Sequence, residues 1–462
     1  MKPSYEQLEQ LVLDLQKIMI EQQKTIDELK AKVAHLESRL NKNSRNSSKP
    51  PSSDPKSNQL KIERLEKQAA HHPGIGRQLL PDHMVTSREK RSTDICPRCQ
   101  SQMQLTGEST KWQQVDFPEI KPLVHEIELV TCQCTKCALI KTPELYDHEI
   151  YLMGPRLEGF VNLLLAQFKH SHLSVRAFIK LLIPGLHISQ GLISKAKKRA
   201  VQAFDQAATE LSEELIAYKG PKHIDFTGWR HEGQNWNALL IRNGTLLRYF
   251  LPEKQNGEIL AKILQNGRHR VVCDRGLAIG KTDIELLQYC LAHLLRNIQG
   301  MAEYEQITHE ETQKLGEIYE TLQMLFHDRH RYDKEGISLA TFRRYGYQKW
   351  AWMKEEIENL QESTVCRKLR RFCKKLLKGW NHFMTYLAQA GPMTNNLAEE
   401  GLRNLVIARK LCFGSRSNYG LKWRESIQSC METLKRQGKS VMDFFAETIR
   451  AYRTGAPCPK IV

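Results

Sequence analysis

Three carboxylates, Asp225, Asp274 and Glu399, are the side chains of this 462-residue chain best suited by type and setting to do chemistry. Asp225 sits in residues 223–230 (His-Ile-Asp-Phe-Thr-Gly-Trp-Arg). An apolar lead-in followed by a Thr-Gly step reads as a buried strand that delivers one acid to its end. Val271-Val272-Cys273-Asp274-Arg275-Gly276 repeats that design, and Glu399 follows Asn395-Asn396 in a helix-like segment. Hard oxygen ligands from three separate elements suit Mg²⁺ or Mn²⁺. Two such ions can activate a water and stabilise the leaving oxygen of a phosphodiester. A single Asp at a strand end is more often a turn or helix cap, so the weight falls on the three together.

A second constellation is made of cysteine. Cys96-Pro97-Arg98-Cys99 and Cys134-Thr135-Lys136-Cys137 are two C-x-x-C knuckles. Each presents two thiolates, and the pairs together complete a closed tetrahedral Zn²⁺ site. Cys132 is a spare thiol beside them. The Val, Ile and Leu residues near 115–131 read as strands of a zinc ribbon. Redox or free-thiol pairs are the weaker reading, because no thioredoxin-like strand–helix context accompanies them.

The elements that position these groups follow from periodicity and charge. Leu8, Val12, Leu15, Met19, Gln22, Ile26, Leu29, Val33, Leu36 and Leu40 alternate spacings of four and three. This narrow seam, flanked by charge, predicts a self-associating coiled coil in which Gln22 sets register or oligomer state. Residues 43–54 are polar and proline-bearing, a linker able to lie along phosphates. The formal charge of +17 makes a polyanion the default partner. No run of about 18 apolar residues is present, so a membrane span is not expected. No apolar signal-peptide core opens the chain, which places it in the cytosol with reduced thiols.

Residues 150–218 read as helices. Segments 176–183 and 188–200, the second ending in Lys195, Lys197, Lys198 and Arg199, fit a helix-turn-helix or a helical pair packed on the core; the two stay open. From about residue 219, strands at 235–241 and 245–251 flank Asn243-Gly244, a strong hairpin signal. A helix at 257–265, the strand ending at Asp274 and an apolar stretch at 284–301 come next. Three strands, a helix and a fourth strand, with acids on the first and fourth, is the order of a ribonuclease-H-like fold. Residues 301–390 then read as helical throughout. Within them Arg367, Lys368, Arg370, Arg371, Lys374, Lys375 and Lys378 precede Trp380 and Phe383, and no acid occurs from Ser363 to Ala398. Bases interleaved with aromatics suit a DNA-contacting surface.

Taken together, these motifs resemble the transposases of the insertion sequence 66 family over nearly the whole chain. The carriers are Asn43-Ser44-Arg45-Asn46-Ser47-Ser48-Lys49-Pro50-Pro51-Ser52-Ser53-Asp54, the paired knuckles, Asp225-Phe226-Thr227-Gly228, Asp274, Cys290-Leu291-Ala292-His293 with Arg296, and Asn395-Asn396-Leu397-Ala398-Glu399 with Leu402-Arg403. Phe413-Gly414-Ser415-Arg416 and Arg436-Gln437-Gly438 are also similar to the family. Phe226, Thr394 and Glu400 stand where the family commonly has Glu, Asp and Arg.

The resemblance implies DNA transposition: metal-dependent cleavage of transposon ends and strand transfer by an Asp-Asp-Glu triad of Asp225, Asp274 and Glu399 holding two Mg²⁺ or Mn²⁺. Structural Zn²⁺ would sit on Cys96, Cys99, Cys134 and Cys137. Cys290, His293 and Arg403 are candidates for active-site support, and Arg367, Lys368, Arg370, Arg371, Lys374 and Lys375 for DNA binding. The partners implied are double-stranded DNA (transposon ends and target), further copies of the chain through the coiled coil, and accessory proteins of the same element, in a bacterial cytoplasm at the nucleoid. Two rivals are a non-catalytic DNA-binding relic and a ribonuclease-H-like nuclease that cuts without joining. The expected organisation is a multi-domain α/β chain: coiled coil 1–42, polar linker 43–85, zinc-ribbon-like module 86–148, helical DNA-binding segment 149–218, ribonuclease-H-like catalytic core 219–300, all-helical insertion 301–390, and the last part of the core with C-terminal helices 391–462.

Overall fold

The computed structural model describes residues 14–27, 29, 30, 33, 79–116, 118–265, 268–276 and 284–462. The chain forms two compact units, Pro55–Ile127 and Met1–Asp54 with Glu128–Val462. Leu8, Val12, Leu36 and Leu40 of the heptad seam, and the linker motif at 43–54, lie outside the described residues. The described N-terminal residues are helical, and their seam positions Leu15, Met19, Ile26, Leu29 and Val33 are exposed.

The described residues of the smaller unit include a turn of 3₁₀ helix, Asp82–Met84, and a bridge pairing Ile95 with Gln102. Gln113 fastens it by donating to Leu80 O and accepting from Leu80 N at 3.1 and 2.7 Å. The strands expected near 115–131 are absent among the described residues. Val115, Leu123 and Val124 have β-like composition but are exposed, and no ladder pairs with them. Composition alone does not make a strand where no neighbour accepts its backbone hydrogen bonds.

The larger unit is mixed α/β. Two short strands, β1 (Cys132–Gln133) and β2 (Ile140–Lys141), pair antiparallel. Four helices follow: α1 (Pro155–Ala166), α2 (His172–Leu182), α3 (Gln190–Ala203) and α4 (Asp205–Ala217). Ser171 and Ser189 cap α2 and α3 by accepting from the N–H groups of Ser174 and Leu192. A five-stranded sheet then forms from β3 (Pro221–His231), β4 (Gln234–Arg242), β5 (Leu247–Phe250), β6 (His269–Cys273) and β7 (Ile284–Tyr289), ordered β5-β4-β3-β6-β7. The first three are antiparallel; β6 and β7 run parallel to β3. Asn243 closes the β4–β5 turn, its side chain accepting from Thr245 and Leu246 N–H.

The apolar stretch at 284–301 divides into β7 and the helix that follows it. The strand ends at Tyr289, and the extended backbone of Cys290 caps α6 (Leu291–Ala302). Four more helices lie within the expected insertion: α7 (His309–His330), α8 (Leu339–Ser363), α9 (Arg367–Lys378) and α10 (Trp380–Gln389). They share one core with α6, built around Trp350, which stacks against Phe383 and meets Trp380 edge-on. Trp380 and Phe383 therefore belong to this core and do not interleave with the bases of α9 at the surface. α10 also covers the open edge of β7: Gln288 donates to Phe383 O and accepts from Tyr386 N, and Thr385 donates to Leu287 O.

The chain returns to the sheet with α11 (Asn396–Cys412), α12 (Asn418–Arg436) and α13 (Val441–Thr454). Alternation along β4 decides what each face meets. Leu240 packs with Leu402 and Leu405 of α11, while Leu239 and Ile241 pack with Leu260 and Leu264 of α5 (Gly257–Leu264). Gly401 lets α11 lie close: a Cβ there would stand 2.6 Å from Leu240 Cδ2 and 3.1 Å from Leu247 Cδ1. Among the described residues no helix is long and apolar enough to cross a membrane.

This packing separates two glycines of equal helix propensity. Gly401→Ala should lower stability by about 1–2 kcal/mol, because overpacking outweighs the helical gain. Gly316→Ala in α7, where a Cβ meets nothing within 4 Å, should raise it by about 1 kcal/mol. Thermal midpoints of the two variants moving in the same direction would refute the close approach of α11.

Candidate active site

The parallel pairing of β3 and β6 aligns two acids. The register sets Pro221 opposite Arg270, Lys222 opposite Val271 and His223 opposite Val272. Carried two residues further, it puts Asp225 level with Asp274. Asp225 is thus the fifth residue of β3, not its tip as expected from the Thr-Gly step. β3 runs on to His231 against β4, and it is β6 that stops, at Cys273. The cleft opens where the parallel partner ends.

The third acid arrives through a buried amide. Asn395 is fully buried just before α11. Its Nδ2 donates to Ile224 O at 2.9 Å, its backbone N–H donates to Cys290 Sγ at 3.2 Å, and its Oδ1 lies 3.2 Å from His223 Nδ1. Because Oδ1 can only accept, His223 Nδ1 carries the proton. Burial, partly offset by that Asn395 contact, holds the His223 ring neutral, with its pKa lowered to about 4. Leu291 N–H donates to Met393 O and Cys290 N–H to Cys273 O, each at 3.0 Å, so the starts of α6 and α11 are fixed to each other, to the middle of β3 and to the end of β6. Glu399 then sits in the first turn of α11, where a negative charge suits the helix dipole.

Two cations meet this cluster. His293 Nδ1 lies 2.7 Å from Asp274 Oδ1 and 3.5 Å from Glu399 Oε1. Arg296, one helical turn on, donates to Glu399 Oε1 at 3.1 Å. Burial disfavours the His293 imidazolium, but Asp274 and Cys290 beside it outweigh burial and push its pKa up to about 10. Asp225 has no such partner among the described residues and accepts only from the Phe226 N–H, at 2.7 Å. Burial first, then repulsion from Asp274, pushes its pKa up to about 7. A half-buried acid facing two other carboxylates, with the charge of His293 only partly offsetting them, fits a hard divalent ion. Asp274, Cys290 and His293 also bring ligand atoms within 4.8 Å of one another, a softer donor set on the same spot.

The other predicted site residues fall as follows. Cys290 is buried and accepts the Asn395 N–H, while Arg403 is exposed and its charge acts on Glu400. Arg296 and Asn395 were named only within motifs; the i, i+3 step from His293 to Arg296 on one helix is the signal that could have singled out the arginine. Glu400, where the family commonly has Arg, turns away from the triad to pair with the buried Arg242 at 3.1 Å and with Arg436 at 3.4 Å. Arg367, Lys368, Arg370, Arg371, Lys374 and Lys375 line the exposed face of α9, while Leu369, Phe372, Cys373 and Leu376 face inward. Lys368 lies over the Tyr304 ring, 3.3 Å from its centre.

Each cysteine knuckle is described within its own unit, and the two share one geometry. Gln100 N–H donates to Cys96 O and Cys96 N–H to Ser101 O, at 2.9 and 2.8 Å; Ala138 N–H donates to Cys134 O and Cys134 N–H to Leu139 O, at 3.0 and 2.8 Å. Gln100 and Ala138 both turn left-handed, at φ 58°. Contact with Ser101 lowers the Cys99 pKa, and the backbone N–H groups of Cys137 and Lys136 lower that of Cys134, favouring the thiolate that binds metal.

Comparison with known proteins completes this picture. Residues 1–78 match the profile of a family of unknown function (DUF6444). No curated protein matches the chain. Residues 164–422, more than half of the chain and including all three acids, match the profile of the Transposase IS66 family. The chain belongs to that family of transposases.

Proposed function

We propose that the protein catalyses DNA transposition with Asp225, Asp274 and Glu399 as its metal-binding triad. The observation that carries this reading is the convergence of three carboxylates, one of them with a pKa pushed up to about 7 by burial and by the neighbouring Asp274. The sheet order supports a ribonuclease-H-like core, with α7–α10 as its insertion. Asp225, Asp274 and Glu399 would hold two Mg²⁺ or Mn²⁺, which would supply activation of a water or of the freed 3′-hydroxyl and neutralise charge on the leaving oxygen. The protein's own residues do the positioning. Asn395 fixes the third acid against β3, Arg296 holds Glu399, and His293 orients Asp274. No protein nucleophile is required.

The exposed bases of α9 form a stripe that would track the DNA backbone, neutralising phosphates without reading sequence. Of the four bases on α3, only Lys195 and Lys198 are exposed. Arg199 pairs with the buried Glu158 at 2.8 Å, and Lys197 lies over Trp423. This favours a helical pair packed on the core that contacts DNA with one edge. The relic reading loses part of its motive, because Glu400 is engaged by Arg242 away from the metal cluster. We also propose that the knuckle thiolates bind structural Zn²⁺ and that the exposed N-terminal seam joins copies of the chain.

With Mn²⁺ or Mg²⁺, the protein should nick and then join a labelled duplex carrying the ends of its element. Asp274→Ala should abolish both while leaving end binding within about threefold, since phosphate contacts dominate affinity. Equal cleavage by the variant would sink the triad; nicking without joining would favour a simple nuclease. Native mass spectrometry should find multimers carrying zinc. Cys96→Ser with Cys134→Ser should remove the zinc, and Leu15→Glu with Leu29→Glu should give monomers. Unchanged masses in either pair would overturn the corresponding assignment.

A further inference from the structure

The end of α11 carries a feature that the metal cluster does not use. Phe413 is 80% exposed and is held in the left-handed region at φ 57°. A bulky aromatic pays there for both strain and exposure, and such outliers point to function where nothing local requires them. The strain has a structural origin. Gly414 follows at φ 111°, and a Cβ on it would stand 2.2 Å from Arg230 O. Ser415 N–H donates to Arg230 O at 2.8 Å, Glu232 N–H donates to Ser415 O at 2.9 Å, and Trp229 Nε1 donates to Ser415 Oγ at 3.3 Å. The loop is therefore pinned to β3, and Phe413 stands out from it on a rigid base. None of these contacts needs an aromatic at position 413.

The surroundings are cationic. No acid occurs between Glu400 and Glu425, and Arg403, Lys410, Arg416 and Lys422 in that span are exposed. Tyr419 OH lies 3.1 Å from Ser194 Oγ, which joins the start of α12, just after this loop, to the α3 edge bearing Lys195 and Lys198. An exposed aromatic among several exposed bases, with Glu232 an exposed acid beside the loop, matches a polynucleotide better than an apolar protein face. Fourteen residues of helix separate Phe413 from Glu399, about 21 Å, or roughly six base pairs of duplex.

We infer that Phe413 is a wedge that inserts into, or stacks on, a base step of the DNA bound at the active site, about six base pairs from the scissile phosphate. The inference rests on the transposase reading, and its test is separable from that reading. The pinned loop supplies the rigidity an inserted side chain needs, and the flanking Lys410 and Arg416 hold the phosphates on either side.

The experiment uses the full chain in Ca²⁺, which supports binding without turnover, and 30-base-pair duplexes spanning the ends of the element with 2-aminopurine placed at successive positions. The unmutated protein should raise fluorescence severalfold at one step near the sixth base pair. Phe413→Ala should abolish that rise and weaken binding about five- to hundredfold, with the salt dependence unchanged. Phe413→Trp should restore both. Equal unstacking by Phe413→Ala overturns the wedge, as does an alanine variant that changes only the oligomeric mass, which would make Phe413 a protein contact. If the unmutated chain cleaves ends in Mn²⁺ but unstacks no base, the wedge fails and the transposase reading stands; if it neither binds nor cleaves, both fall.

Discussion

A single buried amide holds the site together. Asn395 is separated by about 170 residues from its partners on β3 and by about 105 from Cys290, yet it hydrogen-bonds to both elements with no exposed surface. Such a group is costly to bury unless every donor and acceptor is met. Once met, it ties α11 to β3 and α6 at one point. Glu399 follows within one turn, so its place relative to Asp225 and Asp274 is set by that amide. The insertion between the second and third acids is tolerable because its return to the sheet is fixed this tightly.

The electrostatics follow from that geometry. Three carboxylates gathered in a half-buried cleft repel one another, and two positive side chains from one face of α6 relieve the strain at Asp274 and Glu399. At Asp225, burial and repulsion from Asp274 are only partly offset by the Phe226 N–H and by the charge of His293. The cluster is therefore built with a charge deficit on one side. The insertion contributes here too: α6 shares the core of α7–α10, so the cations that balance the cluster are anchored by the packing around Trp350.

Much of this could be read from residue order. Apolar runs ending in acids, Asn243-Gly244 between strand-like segments, and the Asn395-Asn396 motif are local signals, and local signals survive into the fold. What stayed hidden depends on partners distant in sequence. Asp225 lies mid-strand because its antiparallel neighbour continues while its parallel one stops. The apolar residues near 115–131 lack a ladder, so their composition came to nothing. Trp380 and Phe383 follow a basic run but face Trp350 instead of solvent, and Glu400 has its role from Arg242, which lies on β4. Arg296 and Asn395 each stood in a motif, yet only burial and distance distinguish a residue that positions an acid from one that merely precedes it.

The central claim is that Asp225 completes a cation site whose empty form is disfavoured by its own charge. Manganese affinity measured by calorimetry on zinc-loaded protein from pH 5 to 8 tests it most directly. An acid with its pKa raised to about 7 must lose a proton before it can ligate, so apparent affinity should climb by up to about tenfold per pH unit below 7 and level off above it. Asp225→Asn should bind more weakly and lose that slope. An affinity flat from pH 5 to 7, or a slope that persists in Asp225→Asn, would contradict the account.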